Sequence, residues 1–208
     1  KSICNTKTSM KIVEIKTLAL PEVKVIKFQR FKDERGFFAE TFREDDFKNN
    51  SEMEFVKSFN FPQHNESFSK AGVVRGTHFQ WGPPMGKMLR TLSGHMVDMV
   101  MDIRKNSLNF GKIIMYSMPS NPEMEYGEWI WVPPGFAHGN FFLKESLIQY
   151  FCTESYKPNL EACISPVAPD LNWSLCNIEL KAIFDSTIAK ATISSRDREG
   201  LSLAQWSA

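Results

Sequence analysis

The segment HMVDMVMDIR, residues 95–104, has the clearest β-strand pattern in the sequence. Every second side chain is apolar, as expected for a strand with one face in a hydrophobic core. The apolar side chains are Val97, Met99, Met101 and Ile103, and the opposite face carries Asp98, Val100, Asp102 and Arg104. We expect this polar face to meet water, as in most antiparallel sheets. The alternative is a barrel whose interior binds a polar ligand.

Further short runs of β-branched and aromatic residues flank this segment, separated by Gly and Pro. They are VKVIKFQRF (23–31), KIIMYSMP (112–119), EWIWVPP (128–134), GNFFL (139–143) and LIQYFCT (147–153). Helical patterns are few, and the two clearest are ETFREDDFKNN (40–50) and IELKAIFDSTIAKAT (178–192). Many short strands at spacings of roughly 8–12 residues predict an all-β protein, an antiparallel sandwich or barrel with a few short peripheral helices.

The composition is that of an ordinary globular domain. The chain has 208 residues, a formal net charge of +1 and 42% hydrophobic residues, which gives no sign of a nucleic-acid or membrane partner. We expect one domain over residues 10–208, with residues 1–9 an N-terminal extension or a remnant of cloning. The four cysteines form no C-x-x-C pair, so we predict reduced thiols and a cytoplasmic location.

One histidine spacing raises the question of a metal. The segment VPPGFAHGNFF (132–142) has the P-x-G-x-x-H spacing of metal-binding cupins. Those proteins add an H-x-H pair, whereas GTHFQ (76–80) offers His78 alone, and a metal would have to recruit His64 or His95. We therefore expect neither a metal nor another cofactor.

Three side chains suit proton chemistry without a metal. Histidine titrates near neutral pH, which makes His78 a candidate general base. Lys87 is a candidate for stabilising a developing oxyanion, and Tyr150 for donating a proton. Together they suit proton exchange at a carbon next to a carbonyl group. Each alone also fits a structural role, as a hydrogen-bonded strand histidine, a surface lysine or a core tyrosine.

A set of motifs places the chain near a known family. The motifs are FKDERGFFAETF (31–42), GVVRGTHFQ (72–80), GKMLR (86–90), DMVMDIRKNSLNFGK (98–112) and VPPGFAHGNFFL (132–143). In this order and spacing they resemble the dTDP-4-dehydrorhamnose 3,5-epimerases, over roughly residues 11–200. The resemblance implies a cupin-type jelly-roll barrel and a homodimer without metal or cofactor. It implies epimerisation at C3, C5 or both of a nucleotide-linked 4-keto-6-deoxy sugar, in deoxysugar biosynthesis for cell-surface polysaccharide.

The resemblance also implies roles for individual residues. His78 in R-G-x-H corresponds to the general base, Asp197 in SSRDREG to the acid that orients it, and Tyr150 to the opposed proton donor. Lys87 is expected at the sugar C4 oxygen, paired with Asp98 inside the barrel, which makes a solvent-facing polar side of 95–104 a weaker expectation than the strand pattern alone suggests. In the family, the N-terminal strand and the R-G-F-F segment cross to the partner subunit. The residues implied in substrate binding are Arg35, Phe37, Glu40, Gln63, Asn65, Arg75, His138, Tyr156, Glu161 and Arg196.

Several positions differ from the family pattern, and two of them bear on the nucleotide base. Asn140 replaces an aromatic residue after F-A-H-G, and Ser155 replaces the first of two aromatic residues after Tyr150. We therefore expect the nucleotide base to be read less selectively, or not to be thymine. The alternative functions are an epimerase of C3 or C5 alone on a GDP- or UDP-linked hexose or heptose, an inactive sugar-nucleotide binding module, and a metal-dependent cupin enzyme.

Overall fold

The segment 95–104 belongs to a strand of 16 residues, β7 (Lys87–Asp102). The computed structural model describes residues 10–208, so the expectation for residues 1–9, like Cys4, lies outside the described residues. The other strands are β1 (Ile12–Thr17), β2 (Lys24–Gln29), β3 (Phe31–Asp33), β4 (Gly36–Phe38), β5 (Gln63–Ser69), β6 (Val74–Gln80), β8 (Ile113–Ser120), β9 (Tyr126–Val132), β10 (Phe136–Phe142), β11 (Ser146–Cys152) and β12 (Glu161–Cys163). The helices are α1 (Glu44–Asn49), α2 (Ile178–Ile188), α3 (Ser195–Arg198) and α4 (Leu203–Ser207).

Strand β7 takes part in two sheets. Its first half pairs with β9 and β11, in a sheet of order β1-β2-β9-β7-β11-β5. Its second half pairs with β8 and β10, in a sheet of order β8-β7-β10-β6-β12. These pairings are all antiparallel, and the two sheets form a jelly-roll barrel. The prediction of an all-β barrel with a few short helices is confirmed.

Gly94 lies where β7 passes from the first sheet to the second. Its φ is +98°, a conformation that residues with a Cβ rarely adopt. A Cβ at this position would lie 2.1 Å from the carbonyl oxygen of Glu145. The crossing therefore requires glycine for both its backbone angle and its space.

Both faces of β7 are covered, so the expectation of a solvent-facing polar side is wrong. Asp98 and Asp102 are each 0% exposed. The inner face is enclosed because the two sheets face each other over a core that includes Val100. The outer face is covered because Val97 packs with Phe184 of α2. Asp98 and Asp102 therefore point into the barrel, which was the alternative arrangement.

The two predicted helices are present but shorter than their sequence patterns. Helix α1 begins at Glu44, and α2 ends at Ile188. Asn177 caps α2 by accepting hydrogen bonds from the backbone N–H groups of Glu179 and Leu180, a preferred role for asparagine. Among residues 10–208, no helix has the length and apolarity that a membrane span needs.

Asp102 is a buried carboxylate at the C-terminal end of β7. It accepts hydrogen bonds from Arg104 Nε at 2.9 Å and Ser107 Oγ at 2.6 Å. Burial raises the pKa of Asp102, but these hydrogen bonds outweigh burial and hold the pKa below its usual range. Arg104 in turn lies 2.7 Å from Glu22 and packs over the ring of Phe136. The cluster fixes the turn that follows β7.

Replacing Asp102→Asn should lower the free energy of unfolding by about 1–3 kcal/mol at pH 7, because the amide leaves buried donors without a charged acceptor. Since the folded pKa is depressed, the contribution is fully present above about pH 4 and is lost as the pH falls through the folded pKa. Urea unfolding of both proteins from pH 7 to pH 3 measures this. The exposed Glu66→Gln serves as control, and equal stability of Asp102→Asn and wild type at pH 7 would contradict the assignment.

Candidate active site

Two cavities lie inside the barrel and meet at three side chains. The wide cavity has a volume of about 330 Å³ and the narrow cavity about 140 Å³. Both are lined by His78, Lys87 and Tyr150. A cleft of about 600 Å³, lined by Phe42, Phe47, Phe59 and Phe61 among others, contains none of the predicted site residues. The three candidates for proton chemistry therefore share one location.

His78 and Asp197 form a close pair. His78 Nε2 lies 2.7 Å from Asp197 Oδ1, and the backbone N–H of Gly76 donates to Asp197 Oδ2 at 3.1 Å. Gly76 is required here, because its φ is +95° and a Cβ would lie 2.7 Å from the carbonyl oxygen of His138. Burial raises the pKa of Asp197. The hydrogen bonds from His78 and Gly76 lower the pKa by more than burial raises it, so that it lies below its usual range. Asp197 can therefore orient the imidazole and stabilise its protonated form.

Cys163 completes a group of three potential metal ligands with His78 and Asp197, all within 4.8 Å of one another. Burial, followed by the charge of Asp197, raises the pKa of the Cys163 thiol to about 12. The protonated thiol is a poor metal ligand. The close pairing of His78 with Asp197 suits proton transfer better than metal binding, and the expected lack of a metal stays a prediction.

Lys87 is a cation without a partner among residues 10–208. Its Nζ takes part in none of the ion pairs or hydrogen bonds found there, and burial lowers its pKa. The ion pair expected between Lys87 and Asp98 is not formed. Instead, His138 Nε2 lies 2.7 Å from Asp98 Oδ1. The strand register is the reason, because Asp98 lies opposite Asn140 and His138 is its diagonal neighbour on the same face.

Tyr150 faces the same cavities from the opposite sheet. It lies on β11 in the first sheet, with its Cα opposite Asn65 and Leu89, whereas His78 lies on β6 in the second sheet. Burial and the neighbouring Cys152 raise the pKa of Tyr150. The phenol therefore keeps its proton at neutral pH, as a proton donor must.

Most of the predicted binding residues line the two cavities. Gln63 Oε1 accepts the backbone N–H of Tyr156 at 2.8 Å, and the Tyr156 hydroxyl donates to Glu161 Oε2 at 3.0 Å. Arg196 is paired with Glu161 at the cavity rim. The wide cavity is lined by Gln63, Asn65, Tyr156 and Glu161, and the narrow cavity by Arg75 and His138.

Three predicted residues lie away from both cavities of their own chain. Arg35 is exposed and paired with Asp33, and Phe37 packs against Arg30 at 4.5 Å. Glu40 accepts a hydrogen bond from Arg43 Nε at 3.0 Å. Arg35, Phe37 and Glu40 therefore contribute nothing to this site within one chain.

Several cavity residues were missed or misplaced by the sequence interpretation, among them Cys152 and Asn140. Cys152 lines the wide cavity, and strand alternation could have found it because it lies two residues after Tyr150. Asn140 was assigned to the nucleotide base, but it lines the narrow cavity beside His138 and Tyr150. Its place on the inner face of β10 follows from the same alternation. The argument for altered base selectivity therefore rests on Ser155 alone.

The fold and these side chains define the class of cupin-type jelly-roll proteins with an acid–base site. A family model described as dTDP-4-dehydrorhamnose 3,5-epimerase matches residues 17–205. The chain belongs to this family.

Similar proteins agree with this placement. The dTDP-4-dehydrorhamnose 3,5-epimerase of Methanothermobacter thermautotrophicus is 38% identical over 155 residues, covering 73% of this chain and 78% of that protein. The Neisseria gonorrhoeae protein of the same name is 36% identical over 166 residues, 78% of this chain, but the match spans only 48% of that protein. A crystal structure of the Legionella pneumophila dTDP-6-deoxy-D-glucose-3,5-epimerase, in complex with dTDP-4-keto-L-rhamnose, has a TM-score of 0.75 at 28% identity, covering 92% of this chain and 93% of that one.

Replacing Lys87→Met should stabilise the protein by ~0.5–2 kcal/mol at pH 7.5, because it removes a half-buried cation without a partner among the described residues. The folded pKa of Lys87 is lowered, so wild-type stability rises with pH between the folded pKa and the unfolded value of about 10.4. The advantage of the variant should therefore shrink as the pH approaches 10.5. Urea unfolding checks this, with the exposed Lys70→Met as control. A variant less stable than wild type at pH 7.5 would show that Lys87 is paired in solution.

Proposed function

We propose that this protein epimerises C3, C5 or both of a nucleotide-linked 4-keto-6-deoxy sugar. One observation carries the proposal: His78 and Tyr150 approach the same cavity from opposite sheets. A planar enolate held between the sheets has a base on one face and a proton donor on the other. The Legionella relative, solved with dTDP-4-keto-L-rhamnose, supports this class of substrate.

The reaction starts with removal of a proton. A ketone at C4 acidifies the hydrogens on C3 and C5, and His78 takes one of them as general base. The electron pair of the broken C–H bond moves to O4 and forms an enolate. Asp197 holds the imidazole in place and stabilises the imidazolium that results, which is the role of the acidic partner in other His–acid pairs.

Lys87 stabilises the enolate. An unpaired cation in a water-poor cavity is ready to donate a hydrogen bond to O4 as negative charge develops there. A donor placed in this way contributes about 3 kcal/mol to the transition state in comparable sites. The lowered pKa of Lys87 also makes it a stronger acid and hence a better hydrogen-bond donor to an oxyanion.

Tyr150 completes the inversion. Its hydroxyl protonates the carbon from the face opposite His78, so the configuration changes. The phenolate then regains a proton and the imidazolium releases one to water, which restores the enzyme. No electrons are exchanged with a cofactor, and the product is an isomer of the substrate.

The wide cavity is suited to the nucleoside diphosphate. Gln63 and Asn65 offer amide donors to phosphate oxygens, and Arg196 offers a guanidinium at the rim. Tyr156 is 47% exposed there, with its ring free to stack on a base. The narrow cavity then receives the sugar.

An epimerase of C3 or C5 alone is the second candidate. An epimerase of one carbon needs the same general base and the same kind of enolate as an epimerase of both carbons. The two enzymes differ only in how the sugar can turn within the cavity. For either enzyme, we propose a place in deoxysugar biosynthesis for cell-surface polysaccharide.

Incubation with 4-keto-6-deoxy sugar nucleotides in D₂O tests the chemistry. His78→Ala should lower deuterium uptake at C3 and C5 at least 100-fold, because the base is lost. Tyr150→Phe should retain deuterium uptake but lose inversion, because only the opposed donor is lost. Proton NMR follows both, and the wild-type labelling pattern separates a double from a single epimerase.

His64→Ala is the matched control, since His64 is exposed and lines neither cavity. Binding of dTDP, UDP and GDP to each variant should stay within about threefold of wild type. Deuterium uptake by His78→Ala at the wild-type rate would reject the base. Equal losses of uptake and inversion in Tyr150→Phe would reject the donor.

We also propose that the protein forms a homodimer. Strands β3 and β4 pair only with each other among the described strands and expose apolar rings, with Phe31 49% and Phe38 69% exposed. Apolar side chains on an unpaired two-stranded sheet favour docking on a second copy. Docking there would bring Arg35 and Phe37 of one copy to the site of the other.

Light scattering should give about twice the chain mass of 23.9 kDa for the wild type. Phe38→Asp should shift the protein toward the monomer and reduce epimerisation, because a charge replaces an apolar contact. Leu108→Asp, at a side chain that is 97% exposed on another surface, should do neither. A fully active wild-type monomer would contradict the proposal.

A further inference from the structure

Asn140 carries a buried amide with an unpaired oxygen. The residue is 4% exposed, and its Oδ1 accepts no hydrogen bond from the described residues. The large majority of buried polar side-chain atoms in folded proteins have a partner. No hydrogen bond to the described residues holds the Asn140 amide, so the amide can turn toward a partner that arrives with a ligand in the cavity.

The position of Asn140 ties it to the narrow cavity. Strand alternation places His138 and Asn140 on the inner face of β10, and both line this cavity. The Cα of Asn140 lies opposite Asp98 on β7 and Arg75 on β6. The amide thus lies beside the groups assigned to the sugar.

The neighbouring polar groups leave Asn140 Oδ1 unsatisfied. Arg75 donates from Nε to Ser69 Oγ at 2.9 Å and from Nη2 to the carbonyl of Phe68 at 3.4 Å. The Asp98 carboxylate is 0% exposed, and its Oδ1 lies 2.7 Å from His138 Nε2 outside hydrogen-bond angles. Since a carboxylate only accepts, it cannot pair with Asn140 Oδ1. The described residues therefore provide no donor for Asn140 Oδ1, and a bound group is needed to pair the amide.

A neutral hydroxyl meets this need better than an ammonium group. A hydroxyl donates and accepts, so it pairs with either end of the Asn140 amide. Two cations, Arg75 and Lys87, line the same cavity and oppose a further positive charge. A methyl group would leave the amide unpaired and would bury it against an apolar surface.

We propose that Asn140 is a specificity-determining residue that hydrogen-bonds one hydroxyl group of the bound sugar. This rests on the proposed function, because it takes the narrow cavity as the sugar site. The protein then prefers neutral sugars that carry this hydroxyl over analogues with hydrogen, methyl or an amino group in its place.

Calorimetric binding of dTDP-glucose and its 2-deoxy, 3-deoxy and 6-deoxy analogues tests the proposal without turnover. The 2-deoxy or the 3-deoxy analogue should bind wild type about twofold to tenfold more weakly than dTDP-glucose, the range for one net hydrogen bond, whereas the 6-deoxy analogue should not, because the proposed substrate has no hydroxyl at C6. In Asn140→Leu this difference should vanish, while the affinity for dTDP alone stays the same. If Asn140→Leu keeps the wild-type order of affinities, or if wild type binds all four sugars equally, the proposal is overturned.

Two variants make the result interpretable. Asn106→Leu makes the same exchange at an exposed position and should leave all affinities unchanged. Asn140→Thr keeps a group that donates and accepts, so it should retain part of the preference even if Asn140→Leu folds poorly.

The two proposals fail in different ways. A preference that depends on Asn140, without deuterium uptake from any 4-keto sugar, would reject the epimerase and keep the sugar contact. Deuterium uptake with affinities that do not depend on Asn140 would do the reverse.

Discussion

The site depends on one strand being shared by two sheets. Strand β7 contributes Lys87 to the first sheet and Asp98 to the second, and it turns between them at Gly94. The strands that pair with β7 are divided in the same way. Strand β11 carries Tyr150 in the first sheet, and β10 carries His138 in the second. Without the crossing, these side chains would line two separate surfaces. The shared strand makes them the walls of one cavity.

The cavity shifts its ionisable groups in different directions. Burial favours the neutral forms of Lys87 and Tyr150, so that the pKa of the lysine falls and that of the tyrosine rises. Asp197 is also buried, but its hydrogen bonds outweigh the loss of water and keep it ionised. A base with an anionic partner and a donor that keeps its proton can thus line the same cavity. Their surroundings reinforce roles for which a histidine and a tyrosine already differ in their ordinary pKa.

The sequence predicted the strands better than their surroundings. The alternation in 95–104 identifies the side chains that share a face, but it carries no information about what covers that face. Water was therefore assigned to Asp98 and Asp102, which are enclosed by the opposite sheet. The partner of Asp98 was wrong for a related reason, because strand register selects His138 over Lys87.

Contacts between residues far apart in the sequence could be predicted only from the resemblance to the family. His78 and Asp197 are 119 residues apart, and no local pattern joins them. The family motifs supplied this pair, and the structure places the two side chains in contact. No family motif predicts the position of Asn140, because the family has an aromatic residue there. The sequence interpretation noted this difference but placed Asn140 at the nucleotide base, whereas it lines the narrow cavity.

The residue proposed to orient the base does not lie on a barrel strand. Asp197 lies on α3, in a C-terminal segment joined to the barrel by apolar packing and hydrogen bonds, among them Leu201 N–H to the Cys163 carbonyl at 2.8 Å and Trp206 Nε1 to the Ile103 carbonyl at 3.0 Å. Such a segment opens at a lower free energy than the sheets beneath it. Competence for chemistry and integrity of the fold are therefore separable properties of this molecule. On heating or under proteolysis, we expect Asp197 to separate from His78 before the barrel and its cavities open.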